Sequence, residues 1–365
     1  MRSPDCPSTV TIPVAVLGYT ATLAASSETT LAAKVGVQVG AGRALISVDE
    51  VQRDRGMDAV GTVVDRYDGS VAMRTGDGAA RTDVQVLAVD PDAFARTAFW
   101  DESFAEASLD DLVAALDGPE VEGRIPVIAT GLPRGGADLR LGTLPVAAQV
   151  VDTARVLPGR RTAEPVVLVA AARMPEIPAA AGSDRQSELW TNGPSGPAVD
   201  ALTAAGGRLT RTVEPADVLT TANFLGIPWT FGYLSALAVF VGVIAVAGLL
   251  LHLEARGRAQ VSAYVMGRRL GLSRAAHLRS LVVEMAAVAV AALLLGALLA
   301  AGAVAVVHHR LDVDALRPPT PLLDLPWTAM ALTAAGTLLV AALTARYAQR
   351  SGDRADPASV LRESA

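Results

Sequence analysis

The stretch Leu281–Val307, which reads LVVEMAAVAVAALLLGALLAAGAVAVV, decides the fold because Glu284 is its only charged residue. A transmembrane helix needs about 20 consecutive, mostly apolar residues. Two further stretches, Phe231–Leu251 and Trp327–Ala345, meet the same rule. One such stretch is also typical of a buried core helix. Three of them, separated by short polar pieces, predict a three-helix transmembrane bundle within residues 223–365.

The distribution of arginine predicts how these helices are oriented. The loop 252–280 contains six arginines and the segment 346–365 contains four, whereas the connection 308–326 contains two arginines beside three aspartates. Arginine and lysine concentrate in the short cytoplasmic loops of membrane proteins. We therefore expect 252–280 and 346–365 in the cytoplasm, 308–326 outside, and the residues that precede the first of these helices outside the plasma membrane.

Composition agrees with a soluble region followed by a membrane region. The 365 residues are 51% hydrophobic and 19% charged, with a mean hydropathy of +0.38. The formal charge of −6 is unevenly spread, since most acidic residues precede residue 220. A single cysteine, Cys6, excludes an intrachain disulfide. We predict a multi-pass membrane protein that contacts membrane lipid and has no nucleic-acid partner.

Residues 1–27 contain a weaker apolar segment. Pro7–Ser27 is uncharged, but Pro13 and Gly18 interrupt it. We interpret it as a weak or truncated N-terminal transmembrane helix. A signal peptide with small residues near its cleavage point is the alternative.

Residues 28–222 predict a single extracytoplasmic α+β domain. Short β-branched runs recur and are separated by glycine-rich turns; they are VGVQVGAGRALISV, GTVVDRYDGSVAM, TDVQVLAVD, GRIPVIAT, AAQVVDTARVL and PVVLVAA. Three helices are predicted at PDAFARTAF, SLDDLVAAL and GPAVDALTAAGG, the second capped by Ser108. Strands and helices do not alternate strictly, which favours an α+β arrangement.

The sequence contains no pattern typical of a catalytic site. All four histidines lie after residue 250, so no serine of the outer domain has a histidine partner within that domain. The single lysine, Lys34, does not stand in a phosphate-binding G-x-x-x-x-G-K-[ST] motif. A metal site formed by His308, His309, Asp312 and Asp314 is conceivable, but we favour an interfacial polar loop. We expect no catalytic residue, metal or cofactor.

The cytoplasmic loop contains a short amphipathic stretch at Ala259–Leu270. Val261, Tyr264 and Val265 favour a helix with one apolar side. Gly271 ends it, and Ser273 can cap a helix that continues into the next span. A loop whose arginines only determine topology is the alternative.

Several motifs in this order resemble the FtsX-like or MacB-like permeases of ABC transporters. They are LHLEARGRAQVSAYVMGRRLGLSRAAHLRSLVVE at residues 251–284, DPASVLRE at 356–363, and VLAVDPDAFARTAFW followed by SLDDLVAAL in the outer domain. Members have one membrane helix, a large outer domain and three further membrane helices. The chain resembles the C-terminal half of a permease from high-GC bacteria, and its first helix is weaker than is usual in the family.

The resemblance implies that a separate cytoplasmic ATPase dimer drives the chain. The segment that would couple to the ATPase includes Tyr264, Val265 and Met266 as apolar contacts, with Arg268 and Arg269 at the rim of the contact. A second permease half or a second copy of the chain completes such a transporter, which exports or extracts a substrate. The alternatives are a membrane protein that signals to an extracellular partner without transport, and a half permease without function of its own.

Two features within Leu281–Val307 suggest specific roles. Ala292, Gly296 and Ala300 recur every four residues, a spacing that allows two membrane helices to pack closely. Glu284 is the one acid inside a predicted span, where an unpaired carboxylate is unfavourable. We expect Glu284 to pair with an arginine near the cytoplasmic end of that span.

Overall fold

The computed structural model describes residues 6–53, 57–69, 71–76, 81–177, 184–219, 232–244, 247, 273–310, 312 and 317–354. Contacts between residues divide the chain into two compact units. We call residues 30–225 with 313–320 the sheet unit, and residues 1–29, 226–312 and 321–365 the helix unit.

The described residues contain eight α-helices. They are α1 (Cys6–Val39), α2 (Pro91–Thr97), α3 (Leu109–Leu116), α4 (Ser195–Ala204), α5 (Pro215–Leu219), α6 (Gly232–Ile244), α7 (Arg274–Val307) and α8 (Trp327–Arg354). Ser108 caps α3 as predicted, because its Oγ accepts a hydrogen bond from the backbone N–H of Asp111 at 3.2 Å. The three helices predicted within the outer domain are confirmed as α2, α3 and α4.

Eleven strands of the described residues form one sheet. They are β1 (Arg43–Ser47), β2 (Thr62–Asp68), β3 (Val71–Thr75), β4 (Thr82–Asp83), β5 (Gln85–Val89), β6 (Ile125–Thr130), β7 (Gly135–Leu141), β8 (Leu144–Ala154), β9 (Val166–Ala170), β10 (Asp184–Thr191) and β11 (Leu209–Val213). Their order is β11-β1-β10-β2-β5-β9-β6-β8-β7-β3-β4. The pairs β5–β9 and β6–β8 are parallel and the others are antiparallel. Together with the helices, this mixed sheet gives the predicted α+β architecture.

One predicted strand is wrong in its first half. Residues 35–39, the VGVQV part of the run VGVQVGAGRALISV, belong to α1, and only Arg43–Ser47 forms a strand. Leu31, Val35 and Val39 recur every four residues and lie in the same buried cluster as Leu87 and Trp190. Because this helical stripe fits the core, tertiary packing overrides the strand preference of valine.

Gly40 explains why α1 ends at Val39. Its φ of +94° is a conformation that glycine adopts far more readily than other residues, and its N–H bonds to the carbonyl of Gly36 at 2.8 Å. A Cβ on Gly40 would lie 2.3 Å from a ring carbon of Trp190. The chain therefore leaves the helix and enters β1 directly beneath the largest side chain of the core.

Among its described residues, the helix unit contains two helices that are long and apolar enough to cross a membrane. These are Ala275–Val307 of α7 and Trp327–Arg350 of α8. The described part of the first predicted span, Gly232–Ile244, is shorter. A three-helix transmembrane bundle therefore remains a prediction. The weak N-terminal segment lies within the long helix α1, where Pro13 does not end the helix.

Candidate functional site

Helix α1 packs closely against α7 within the helix unit at two glycines. Each helix contributes one of them. A Cβ on Gly296 would lie 2.7 Å from Cγ1 of Val14, and one on Gly18 would lie 3.3 Å from Cβ of Ala300. Only residues without large side chains allow helix backbones to approach this closely.

The three small residues singled out in the sequence lie on this part of α7. Ala292 is fully buried and Ala300 nearly so. Gly296, midway between them, lies against α1. Whether this packing takes place inside a membrane stays a prediction.

Two buried threonines of α1, Thr20 and Thr22, bond to backbone carbonyls of their own helix. Thr20 Oγ1 donates to the carbonyl of Val16 at 2.9 Å, and Thr22 Oγ1 donates to that of Gly18 at 2.8 Å. Because these hydroxyls bond within their own helix, they can be buried at little cost. The polar residues that make the N-terminal segment look weak in sequence are therefore compatible with burial.

An apolar cavity of about 540 Å³ lies within the helix unit. Side chains of α1, α6, α7 and α8 line it, among them Leu17, Val243, Val288 and Val340. Among the described residues that line it, the polar side chains are Thr333 and Thr337, which donate to backbone carbonyls of α8 at 2.8 Å. The described lining is otherwise apolar, so it offers space for apolar atoms.

The connection between α7 and α8 is attached to α1. In the helix unit, Thr29 Oγ1 donates to Asp324 Oδ2 at 2.8 Å, and Ser26 exchanges two hydrogen bonds with the backbone of Asp324. In the sheet unit, Lys34 Nζ donates to the carbonyl of Arg317 at 2.5 Å. The single lysine of the chain is therefore a buried donor to this connection.

The sheet unit contains a buried group of charges that sequence reasoning missed. Arg66 on β2 and Glu188 on β10 are both fully buried, and Arg66 Nε donates to Glu188 Oε1 at 3.0 Å. Arg161 donates to both carboxylate oxygens of Glu188, at 2.7 and 3.0 Å. Trp190 Nε1 also donates to Glu188 Oε2 at 2.8 Å. The single carboxylate thus pairs with two guanidinium groups at once, and Asp68 Oδ2 lies 4.0 Å from Arg66 Nε as a second, more distant negative charge.

The pKa of Glu188 reflects this environment. Burial alone would raise it, but the adjacent charges of Arg66 and Arg161 outweigh burial, and the pKa lies below its ordinary value. Nη1 and Nη2 of Arg66 are buried and have no hydrogen-bond partner among the described residues. The closest compensation for the charge of Arg66 is therefore Glu188, and the group is expected to stabilise the folded sheet unit.

A second buried carboxylate lies on the opposite face of the same strands. Asp65 accepts hydrogen bonds from Arg53 at 2.5 Å, from Arg185 at 2.9 Å and from the hydroxyl of Ser187 at 2.6 Å. Adjacent residues of a strand face opposite sides of the sheet, so Asp65 and Arg66 place one charged group on each side of β2. The sequence signal was a pair of charges inside the apolar run TVVDRYD.

The remaining predicted site residues are placed only in part. Tyr264, Val265, Met266, Arg268 and Arg269 lie outside the described residues. Glu284 is exposed on α7. Its expected arginine partner is not found among the described ion pairs, and most of the preceding loop lies outside the described part of the chain.

The histidines after α7 do not gather metal ligands in the described part of the chain, where no three His, Cys, Asp or Glu side chains lie together in a suitable arrangement. His308 Nε2 instead lies 3.1 Å from the carbonyl oxygen of Pro321, at the end of the connection to α8.

Comparison with protein-family models and with curated proteins found no match to this sequence.

Proposed function

We propose that the chain is a membrane permease subunit of an ABC transporter, driven by a separate cytoplasmic ATPase dimer. In this proposal α7 and α8 cross the plasma membrane, and the sheet unit is extracytoplasmic. The chain works beside a second permease half or a second copy of itself. ATP hydrolysis by the partner moves the helices and through them the outer domain, and a substrate is exported or extracted.

The exposure of large apolar side chains on α7 and α8 carries the membrane part of the proposal. Leu294, Leu298 and Leu332 are 68%, 70% and 73% exposed. In the most apolar 18-residue stretch of each helix, only 22% of the residues of α7 and 11% of those of α8 are buried. Soluble proteins rarely expose apolar patches of such extent, whereas the hydrocarbon core of a bilayer favours them.

The organisation of the chain supports the permease part. An α+β unit is inserted between an N-terminal helix and a set of apolar helices, and residues from both ends of the chain belong to the helix unit. This is the order of parts of the family that the sequence motifs resemble. The small-residue contact between α1 and α7 adds a tightly packed helix pair of the kind that membrane helices form.

The test is co-purification of an ATPase from the native host. The full chain is extracted in a mild neutral detergent, and its partners are identified by mass spectrometry. We expect an ATPase with a phosphate-binding motif to co-purify and its turnover to rise in the presence of the chain. Recovery of the chain in the soluble fraction without detergent would overturn the membrane assignment, and membrane recovery without an ATPase would overturn the permease assignment.

The predicted coupling residues provide a second arm. Tyr264→Ala with Val265→Ala is expected to weaken ATPase binding by at least about 30-fold, since truncating even one anchor of a helix-in-groove contact costs about 2 kcal/mol. The matched control is Tyr347→Ala, which alters an exposed aromatic residue of α8. Unchanged binding and stimulation in the double variant would mean that the loop determines topology alone.

A further inference from the structure

Three arginines surround a concavity of about 470 Å³ on the outer face of β3, β7 and β8. Strand pairing explains their grouping, because Arg74 pairs with Asp138 and Ala72 pairs with Arg140. Residues that pair directly across two strands point to the same face of a sheet. Arg81 lies beside them, since it precedes Thr82, which pairs with Met73.

The alternation along β7 determines which face these arginines occupy. Leu139 and Leu141 are fully buried in the core, whereas Asp138 and Arg140, the residues between and before them, are exposed. Side chains alternate between the two faces of a strand. The face that carries Arg140 is therefore the solvent face of the sheet unit.

Small residues form the floor of the concavity and arginines form its rim. Ala72, which pairs with Arg140, and Ala147, which pairs with Asp138, contribute only methyl groups to the lining. The concavity is thus a direct product of the alternation of long and short side chains on this face. Its rim projects guanidinium groups, each with N–H donors in a fixed planar arrangement.

The rim has more positive than negative charge: the same face carries three arginines and two described carboxylates, Asp138 opposite Arg74 and Asp83 opposite Ala72. Arg74, Arg81 and Arg140 form no ion pair with a described residue. Asp138 also lines the concavity, but the ion pair it forms is with Arg124, at 3.5 Å. Like charges on neighbouring strands repel. The three arginines are nevertheless close together on this face, although the whole chain has a formal charge of −6. An anion bound in the concavity would relieve that repulsion.

We propose that this concavity binds a phosphate group, either free or as part of a phosphate-bearing polymer. A carboxylate has two oxygens, and a single guanidinium can satisfy both. A phosphate presents three or four acceptor oxygens, which guanidinium groups on separate strands can approach from different sides. Each arginine at the rim then contributes charge-assisted hydrogen bonds. The site belongs to the sheet unit and does not depend on the proposed transport function.

The experiment measures binding to the purified full chain in neutral maltoside micelles by titration calorimetry at about 0.1 M salt. The probes are inorganic phosphate, linear polyphosphate and polyglutamate. We expect polyphosphate to bind and polyglutamate to bind at least tenfold more weakly. Each of Arg74→Gln and Arg140→Gln should weaken polyphosphate binding about tenfold, because a hydrogen bond to a charged group is worth roughly that factor.

The matched control is Arg211→Gln, which removes an exposed arginine from β11 of the same sheet. Unchanged binding in this variant, with equal melting temperatures for all variants, supports the site. Binding of inorganic phosphate would identify a site for a single phosphate group, and binding of polyphosphate alone would identify a polymer site. The proposal is overturned if neither phosphate probe binds, if polyglutamate binds equally well, or if Arg211→Gln weakens binding as much as the two rim variants.

Discussion

The sheet unit and the helix unit place their large apolar side chains in opposite ways. Leu139, Leu168 and Leu189 of the sheet unit are fully buried, whereas Leu298 and Leu332 of the helix unit are 70% and 73% exposed. The sheet unit also buries charged groups, including Arg66 and Glu188, in its interior. The difference is what the proposed function requires, with water around the sheet unit and an apolar medium around α7 and α8.

The largest expected effect is a difference in thiol labelling between the sheet unit and the end of the loop before α7. Cys6 is the only cysteine, so a Cys6→Ser background allows single cysteines at Asp138 and Ser280, which are both exposed. We expect a membrane-impermeant thiol reagent to label the Asp138 position in intact cells and the Ser280 position only after permeabilisation, because they lie on opposite sides of the membrane in the proposed topology. Equal labelling of both positions in intact cells would show that Asp138 and Ser280 do not lie on opposite sides of a membrane.

Next in size is the loss of a buried charge from the sheet unit. Glu188→Gln leaves Arg66 and Arg161 without their shared carboxylate, and we expect a loss of about 3–5 kcal/mol in the free energy of unfolding. Denaturant titration followed by tryptophan fluorescence measures it. The control is Glu106→Gln, since Glu106 is 94% exposed at 3.8 Å from Arg155. Comparable losses in both variants would show that burial of the group is not what makes it stabilising.

The same carboxylate predicts an acid limit for the sheet unit. Because the pKa of Glu188 is lower in the folded state than in the unfolded chain, its contribution to stability is complete above the ordinary glutamate pKa of about 4.3. It is lost as the pH falls through the lower, folded-state value. Wild-type stability should therefore decrease below about pH 4, and Glu188→Gln should reduce the slope of that decrease. An unchanged slope in the variant would assign the acid limit to other carboxylates.

A smaller effect is expected from overpacking in the helix unit. In Gly296→Leu the new side chain meets Val14, and we expect a loss of about 1–3 kcal/mol, measured as a lower melting temperature in detergent. Gly302→Leu is the control, because a Cβ there meets no atom within 4 Å. Val14→Ala should partly rescue Gly296→Leu by making room. The absence of rescue would show that α1 and α7 do not pack through these residues.

The smallest effect concerns a single hydrogen bond. Thr29→Val removes the donor to Asp324 while keeping the shape of the side chain, and we expect a loss of about 0.5–1.5 kcal/mol. Thr203→Val is the control, since the hydroxyl of Thr203 bonds only to the carbonyl of Val199 within α4. Equal changes in melting temperature for the two variants would mean that the contact between α1 and the α7–α8 connection contributes no stability of its own.

Local sequence patterns were sufficient to predict secondary structure wherever a segment forms its backbone hydrogen bonds within itself. The apolar stretch of α7, the Ser108 cap of α3 and the helices α2 and α4 follow from spacing and capping chemistry alone. The turn at Asp68-Gly69 was also readable, and Gly69 has a φ of +67°. Those features depend on neighbours a few residues apart, which are adjacent in the sequence as well as in space.

Pairing across long distances was decided only by the tertiary structure. β2 and β3 are consecutive in the sequence, yet β2 pairs with β10 and β5, while β3 pairs with β7 and β4. The partners Arg66 and Glu188 are 122 residues apart. No local pattern specifies such a match, because any two strands with the same alternation of side chains can pair.

The sequence by itself determined the apolar helices, the α+β character of the large domain and the small-residue spacing on α7, since each depends on a period or a cap within one segment. The tertiary structure decided that residues 35–39 are helical, that Gly296 meets Val14, and that Glu188 pairs with Arg66 and Arg161. The physical reason is that burial and charge neutralisation are properties of groups brought together from distant segments, and their free energies exceed the local preferences of each segment.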